Sequence, residues 1–163
     1  MPRTDFSRMR CPIARSMEVL GERWAILVLR EAFYGTTRFD EFATHLGIAS
    51  NILSARLAKL VEHGLLERVP EGARHAYRLT EKGRDFFPAF LALKAWSDRW
   101  MAPEGPVVRL VHAGTGEEVV PEPPRGEDGK PLRPEAVRLL PGPGAGTAMR
   151  RRLALAEVEA AHG

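Results

Sequence analysis

The residues best suited to chemistry lie between Ser50 and Lys59. On a helical wheel of residues 50–61, Leu53, Leu57, Leu60 and Val61 take one side. Asn51, Ala55, Ala58, Lys59 and Glu62 take the other. Small side chains such as Ala55 and Ala58 let a helix backbone approach a DNA major groove closely, and Ser50, Asn51 and Ser54 lie near the N-terminal end, which meets base edges. The Asn51 amide has two readings, pairing with adenine or capping its own helix; for Ser50, capping is the reading taken. Arg56, on the flank, holds either a phosphate or a salt bridge within the domain. Lys59 contacts phosphate or is simply solvated. Thr36, Thr37 and Arg38 open the preceding helix, whose N-terminal N–H groups favour a phosphate. Arg74 and His75 flank a hairpin turn, either reaching a duplex backbone or minor groove or decorating a surface loop.

Such residues need a frame, and the pattern supplies one. Pro12, Ile13, Met17 and Leu20 predict a helix ended by Gly21, and the apolar run from Trp24 to Leu29 predicts a second, stopped by Gly35. Phe39, Phe42, Ala43 and Leu46 make a third, with Thr37 as cap and Asp40 at the reach-back position of a capping box. Gly47 breaks it, and the Ser50 helix follows until Gly64, which completes a helix-turn-helix pattern. Residues 65–69 and 75–79 then read as strands around a turn at 70–74, making a wing. Thr80 caps a helix reaching about Met101, and Pro88 inside it requires a kink or a restart. The aromatics Trp24, Phe86, Phe90, Trp96 and Trp100 read as core or interface, and their surplus on the last helix favours an interface. Beyond 101, strands are expected at 107–112, 118–120 and 137–140, then a helix-prone end from Arg150 to Ala161.

Composition bounds the function. Of 163 residues, 44% are apolar, enough for a core, and the net charge is +3. Residues 1–101 hold 16 basic and 12 acidic residues against 8 and 9 in the rest, so the positive excess sits where a polyanion would bind. The lone cysteine, Cys11, allows no intrachain disulfide, no apolar run approaches the roughly 20 residues that span a bilayer, and the N-terminus lacks the apolar stretch of a signal peptide, so a cytoplasmic protein with no membrane partner is expected. No metal spacing, nucleophile elbow or phosphate-binding Gly loop occurs, and the five histidines are scattered; no catalytic residue, metal site or cofactor is expected.

Residues 11–101 resemble the HxlR-type winged helix-turn-helix transcription regulators. The resemblance is carried by Cys11-Pro12-Ile13-Ala14-Arg15, Gly21-Glu22-Arg23-Trp24, Gly35 to Glu41, Gly47-Ile48-Ala49, Leu53 to Leu57, Gly64-Leu65-Leu66, Tyr77 to Thr80 with Gly83, and Trp96. It implies a homodimer joined through the N-terminal and long C-terminal helices, bound to double-stranded DNA at a roughly palindromic operator. It also implies, for some members, sensing of oxidants or electrophiles through a cysteine matching Cys11, which otherwise reads as a small buried residue. Longer members carry a zinc-ribbon-like extension; its cysteines are absent here, so the expected module is metal-free. The expected fold is mainly α with a small β component: a DNA-binding and dimerisation domain over 1–101, a small β-rich extension over 102–144, and a helical or disordered tail over 145–163. Response to a small-molecule effector at a dimer interface, and a winged-helix protein-interaction module without sequence-specific DNA binding, are the rival readings.

Overall fold

The computed structural model describes residues 5–160; residues 1–4 and 161–163, with Ala161 and His162, lie outside it. The chain is mostly helical with one two-stranded antiparallel sheet, the winged helix-turn-helix architecture. The described residues group into two compact units, 17–121 and the remainder.

The first unit is built around α2 (Ala25–Phe33). Its Val28 and Leu29 are fully buried against Phe42 of α3 (Phe39–Leu46), Leu53, Leu57 and Leu60 of α4 (Ser50–Glu62), and Leu66 of β1 (Leu66–Glu71). The four-three spacing of the α4 leucines puts all three on one side, and Val19 of α1 (Pro12–Leu20) joins the same core. Gly47 closes α3 at φ +59°, a left-handed conformation that makes the tight turn into α4. Two caps differ from expectation. Arg38, not Thr37, is the N-cap of α3, and Glu41 rather than Asp40 reaches back to accept from the Arg38 N–H at 3.3 Å. Ala49 is the N-cap of α4, so Ser50 stands inside the first turn and caps nothing.

The wing is β1 with β2 (Arg74–Leu79), in a register that pairs Leu66 with Leu79 and Glu71 with Arg74. Only Gly72 and Ala73 form the turn, against the five residues expected, and Pro70 lies within the strand. The α2–α3 connection attaches to the wing: Tyr77 N–H donates to the Thr37 carbonyl at 2.7 Å, and Arg38 bridges to Ala76. The Thr80 hydroxyl joins the end of α4 to α5 (Glu81–Asp85), donating to the Gly64 carbonyl at 2.6 Å and accepting from Gly83 N–H at 3.0 Å. A Cβ on Gly83 would collide with the Leu65 carbonyl oxygen, so only glycine packs there. The helix expected from Thr80 to Met101 does restart: α6 (Phe87–Met101) begins after Phe86 with Pro88 in its first turn. Phe90 anchors it, stacking on Phe33 at 4.9 Å.

The expected strands at 107–112 and 118–120 reduce to one bridge, Val111 with Glu118, flanked by Val119 N–H to the Leu110 carbonyl and His112 N–H to the Glu117 carbonyl, both 2.8 Å. His112 Nδ1 accepts from Gly114 and Thr115 N–H, each at 3.2 Å, and so closes the turn between them. Residues 137–140 form no strand.

In the second unit, Arg125 bridges to Pro131, a single 3-10 turn spans Pro134–Ala136, and α7 covers Thr147–Ala160. Cys11, in this unit, is exposed rather than buried.

Candidate nucleic-acid interface

The buried leucine side of α4 fixes the opposite side by geometry. Ser50, Asn51, Ser54, Ala55 and Ala58 are all exposed. Between α4 and the wing lies a concave face of about 930 Å³, lined by Ser54, Ala58, Val61 and Glu62 from α4, Arg38, Phe39 and Asp40 from the start of α3, and Arg68, Arg74, His75 and Tyr77 from the wing. Three guanidiniums and an imidazole thus meet two carboxylates around small side chains. That arrangement suits a phosphate-rich rod lying over an accessible helix.

The site residues expected from sequence fall into three groups. Arg38, Ser54, Arg74 and His75 line this face together, and Ser50, Asn51 and Ala55 continue the open side of α4. Arg56 and Lys59 turn inward to the domain: Arg56 pairs with Glu22 at 2.8 Å and Lys59 with Glu18 at 3.1 Å, all four side chains mostly buried. Of the alternatives weighed for Arg56, the salt bridge describes its position, and Lys59 is not a solvated lysine. Thr36 is buried, so the expectation that it meets a duplex is corrected. Its N–H donates to the Glu31 carbonyl, and its hydroxyl lies 3.4 Å from Glu31 Oε2 and 3.2 Å from His45 Nδ1. The buried Glu31 carboxylate is held further by Arg30 at 2.7 Å and His45 at 3.3 Å. Thr37 is half-buried, its carbonyl spent on the wing.

Two participants were missed. Arg68 of β1 is exposed and donates to His75 Nδ1 at 3.1 Å. Tyr77 sits opposite Arg68 in the register, so His75 is its diagonal neighbour, within reach of a long side chain. Asp40 lies between two arginines, 3.5 Å from Arg38 Nε and 3.5 Å from Arg74 Nη1. A hydrogen bond from its own backbone N–H, then the charges of Arg38 and Arg74, hold its carboxyl below the usual carboxylate range despite some desolvation. Among the described residues no three His, Cys, Asp or Glu side chains come together as a metal would require, and no helix is long and apolar enough to cross a membrane.

Comparison with known proteins identifies the family and the fold. The model of the HxlR-like helix-turn-helix family matches residues 19–105, more than half of the chain. An uncharacterised HTH-type transcriptional regulator of Mycobacterium tuberculosis, Rv3095, is 45% identical over 136 residues, covering 81% of this chain and 86% of that protein. The crystal structure of PA1607, described as a candidate transcription factor, superposes with a TM-score of 0.77 at 44% identity, over 84% of this chain and 99% of that one. Both matches cover more of the chain than the family model does. The redox regulator HypR in its oxidised form is more distant, with a TM-score of 0.51 at 28% identity over 55% of this chain and 96% of its own. The curated relatives are named as transcriptional regulators, and the chain belongs to the HxlR-like helix-turn-helix family of transcriptional regulators.

Proposed function

We propose that the protein is a cytoplasmic homodimer that binds double-stranded DNA at a roughly palindromic operator, with α4 in the major groove and the wing on the flanking backbone. The observation that carries this reading is the open side of α4. Ser50, Asn51, Ser54, Ala55 and Ala58 are short or small, exposed, and bordered by Arg38, Arg68 and Arg74. Arginines on phosphate supply affinity and register; Asn51 and Ser54 supply choice of bases. The second copy is supported by α6, which leaves Leu93, Trp96 and Trp100 exposed along one stripe. Two recognition helices set about 34 Å apart would address successive major grooves on one face of the duplex.

Oxidant control is the second reading. Cys11 is exposed, and the neighbouring Arg15 guanidinium, bonded to the Met9 carbonyl at 2.6 Å, places positive charge in the same short segment. HypR, a redox regulator, shares the fold at 28% identity. With one cysteine per chain, the chemistry must be a Cys11–Cys11 bond between copies, a mixed disulfide or alkylation.

Selection of bound fragments from source-genome DNA, with and without diamide, tests both readings. Recovery of a two-fold symmetric sequence supports the first, and recovery of random fragments alone rejects it. Loss of the recovered fragments with diamide in the wild type, but not in Cys11→Ser, supports the second; identical behaviour of the two proteins rejects it.

A further inference from the structure

The three guanidiniums between α4 and the wing are not equivalent. Arg38 Nε lies 3.5 Å from Asp40 Oδ1 and Arg74 Nη1 lies 3.5 Å from Asp40 Oδ2, so one carboxylate holds an arginine on each oxygen. Arg68 has a different partner, His75 Nδ1 at 3.1 Å. Arginine has no acceptor, so it can only donate in this contact, and an imidazole brings no negative charge to offset it. Among the described residues no carboxylate forms an ion pair with Arg68, whereas Arg78, on the same hairpin, pairs with Glu71.

We propose that Asp40 sets the selectivity of this face: it withholds Arg38 and Arg74 from phosphate, and Arg68 is the wing's uncompensated phosphate anchor. The inference rests on the DNA-binding reading above and assigns unequal roles within that site. Binding to arbitrary sequence comes almost wholly from phosphate neutralisation and the release of counterions. A carboxylate inside the face weakens that term twice, by occupying two cations and by repelling the phosphates themselves. Base contacts from the open side of α4 do not pass through Asp40. A duplex held by charge alone therefore loses more of its affinity to Asp40 than an operator held also by Asn51 and Ser54. Asp40 is at the same time a positioning residue. It ties the start of α3 to the wing tip through Arg74, fixing the wing beside α4 before a duplex arrives.

Fluorescence anisotropy of the full-length protein on the selected operator and on a random duplex, each across a salt series, tests the proposal. Asp40→Asn is expected to tighten random-duplex binding by about threefold or more, to steepen its log-salt slope by up to about 1.8, about 0.9 for each arginine released, and to lower the operator-to-random ratio. Arg68→Ala should flatten the slope by about 0.9 in either background, while Arg74→Ala should flatten it by that amount only where Asp40 is already Asn. Asp40 is exposed, and thermal melts of both proteins are the control that Asp40→Asn folds as the wild type does. If the wild type binds operator and random duplex indistinguishably, the parent reading fails whatever Asp40 does. If the wild type discriminates but Asp40→Asn leaves both salt curves in place, or Arg74→Ala acts equally in the two backgrounds, the role given to Asp40 is overturned while the parent reading stands.

Discussion

Helices α4 and α6 each bury one side and leave the other open, but they leave very different things open. On α4 the open side carries Asn51, Ser54, Ala55 and Ala58, groups at ease in water. On α6 only Phe90 is buried, at 4% exposure; Leu93, Trp96 and Trp100 lie 40%, 52% and 64% exposed along one stripe. Apolar surface in water costs about 25 cal/mol per Å², and an aromatic side chain carries on the order of 150–250 Å², so the α6 stripe leaves several kcal/mol unclaimed in a lone chain while the α4 side leaves little. The difference separates two kinds of partner. A surface that is stable uncovered suits a reversible, wet contact with a charged rod, and one that is unstable uncovered suits a lasting contact with a second apolar surface.

The sharpest way to break this comparison is to make the α6 stripe resemble the α4 side. Trp96→Glu with Trp100→Glu is expected to convert a dimer to a monomer in light scattering. Operator affinity should fall by about 100-fold or more, because each half-site then binds without its tethered mate. Retention of the dimer mass in that variant would mean that the aromatic stripe is not what joins two copies.

A smaller change at α4 should leave the mass alone and alter recognition. Asn51→Ala is expected to cost about 1–3 kcal/mol on the operator and nearly nothing on random duplex. Equal losses on both would return Asn51 to a role in helix stability. Because Ala49, not Ser50 or Asn51, is the N-cap, no capping hydrogen bond stands in the way of reading this result.

The sequence made the α4 side legible because local periodicity alone decides it: leucines at 53, 57 and 60 must share the core side, and what remains must face out. The same logic found the wing but not its register. Reading 70–74 as the turn sets Val69 opposite His75, whereas Val69 faces Ala76, and a slip of one residue sends each side chain to the other face. Arg68 went unread because its neighbours, Tyr77 and His75, come from the opposite strand. Thr36 and Lys59 were misread, and Arg56 left open between two readings, for another reason: side chains outside their own segments claim them. Thr36 is claimed by the buried Glu31, and Arg56 and Lys59 by Glu22 and Glu18 near the chain's start. The strands expected beyond residue 106 failed energetically: two short segments paired only with each other leave Val107, Val111 and Val120 exposed, and such a ribbon holds little more than the bridge at Val111.

Lys59 offers the finest test of the contrast, because it is a cation on the proposed recognition helix that nonetheless pairs within the protein rather than facing a duplex. Its ammonium sits 3.1 Å from Glu18 Oε1, with side-chain exposures of 22% and 19%. Lys59→Ala should therefore lower stability to thermal or urea unfolding by about 1 kcal/mol, the range for a pair only partly shielded from water. It should leave the log-salt slope of DNA binding within error of the wild type, while Arg68→Ala, with similar loss of charge and an exposed side chain, flattens it by about 0.9. If instead Lys59→Ala flattened the slope with no change in unfolding, the ammonium would have to leave Glu18 for a phosphate on binding. The open side of α4 would then extend one residue further round the helix than its small side chains mark.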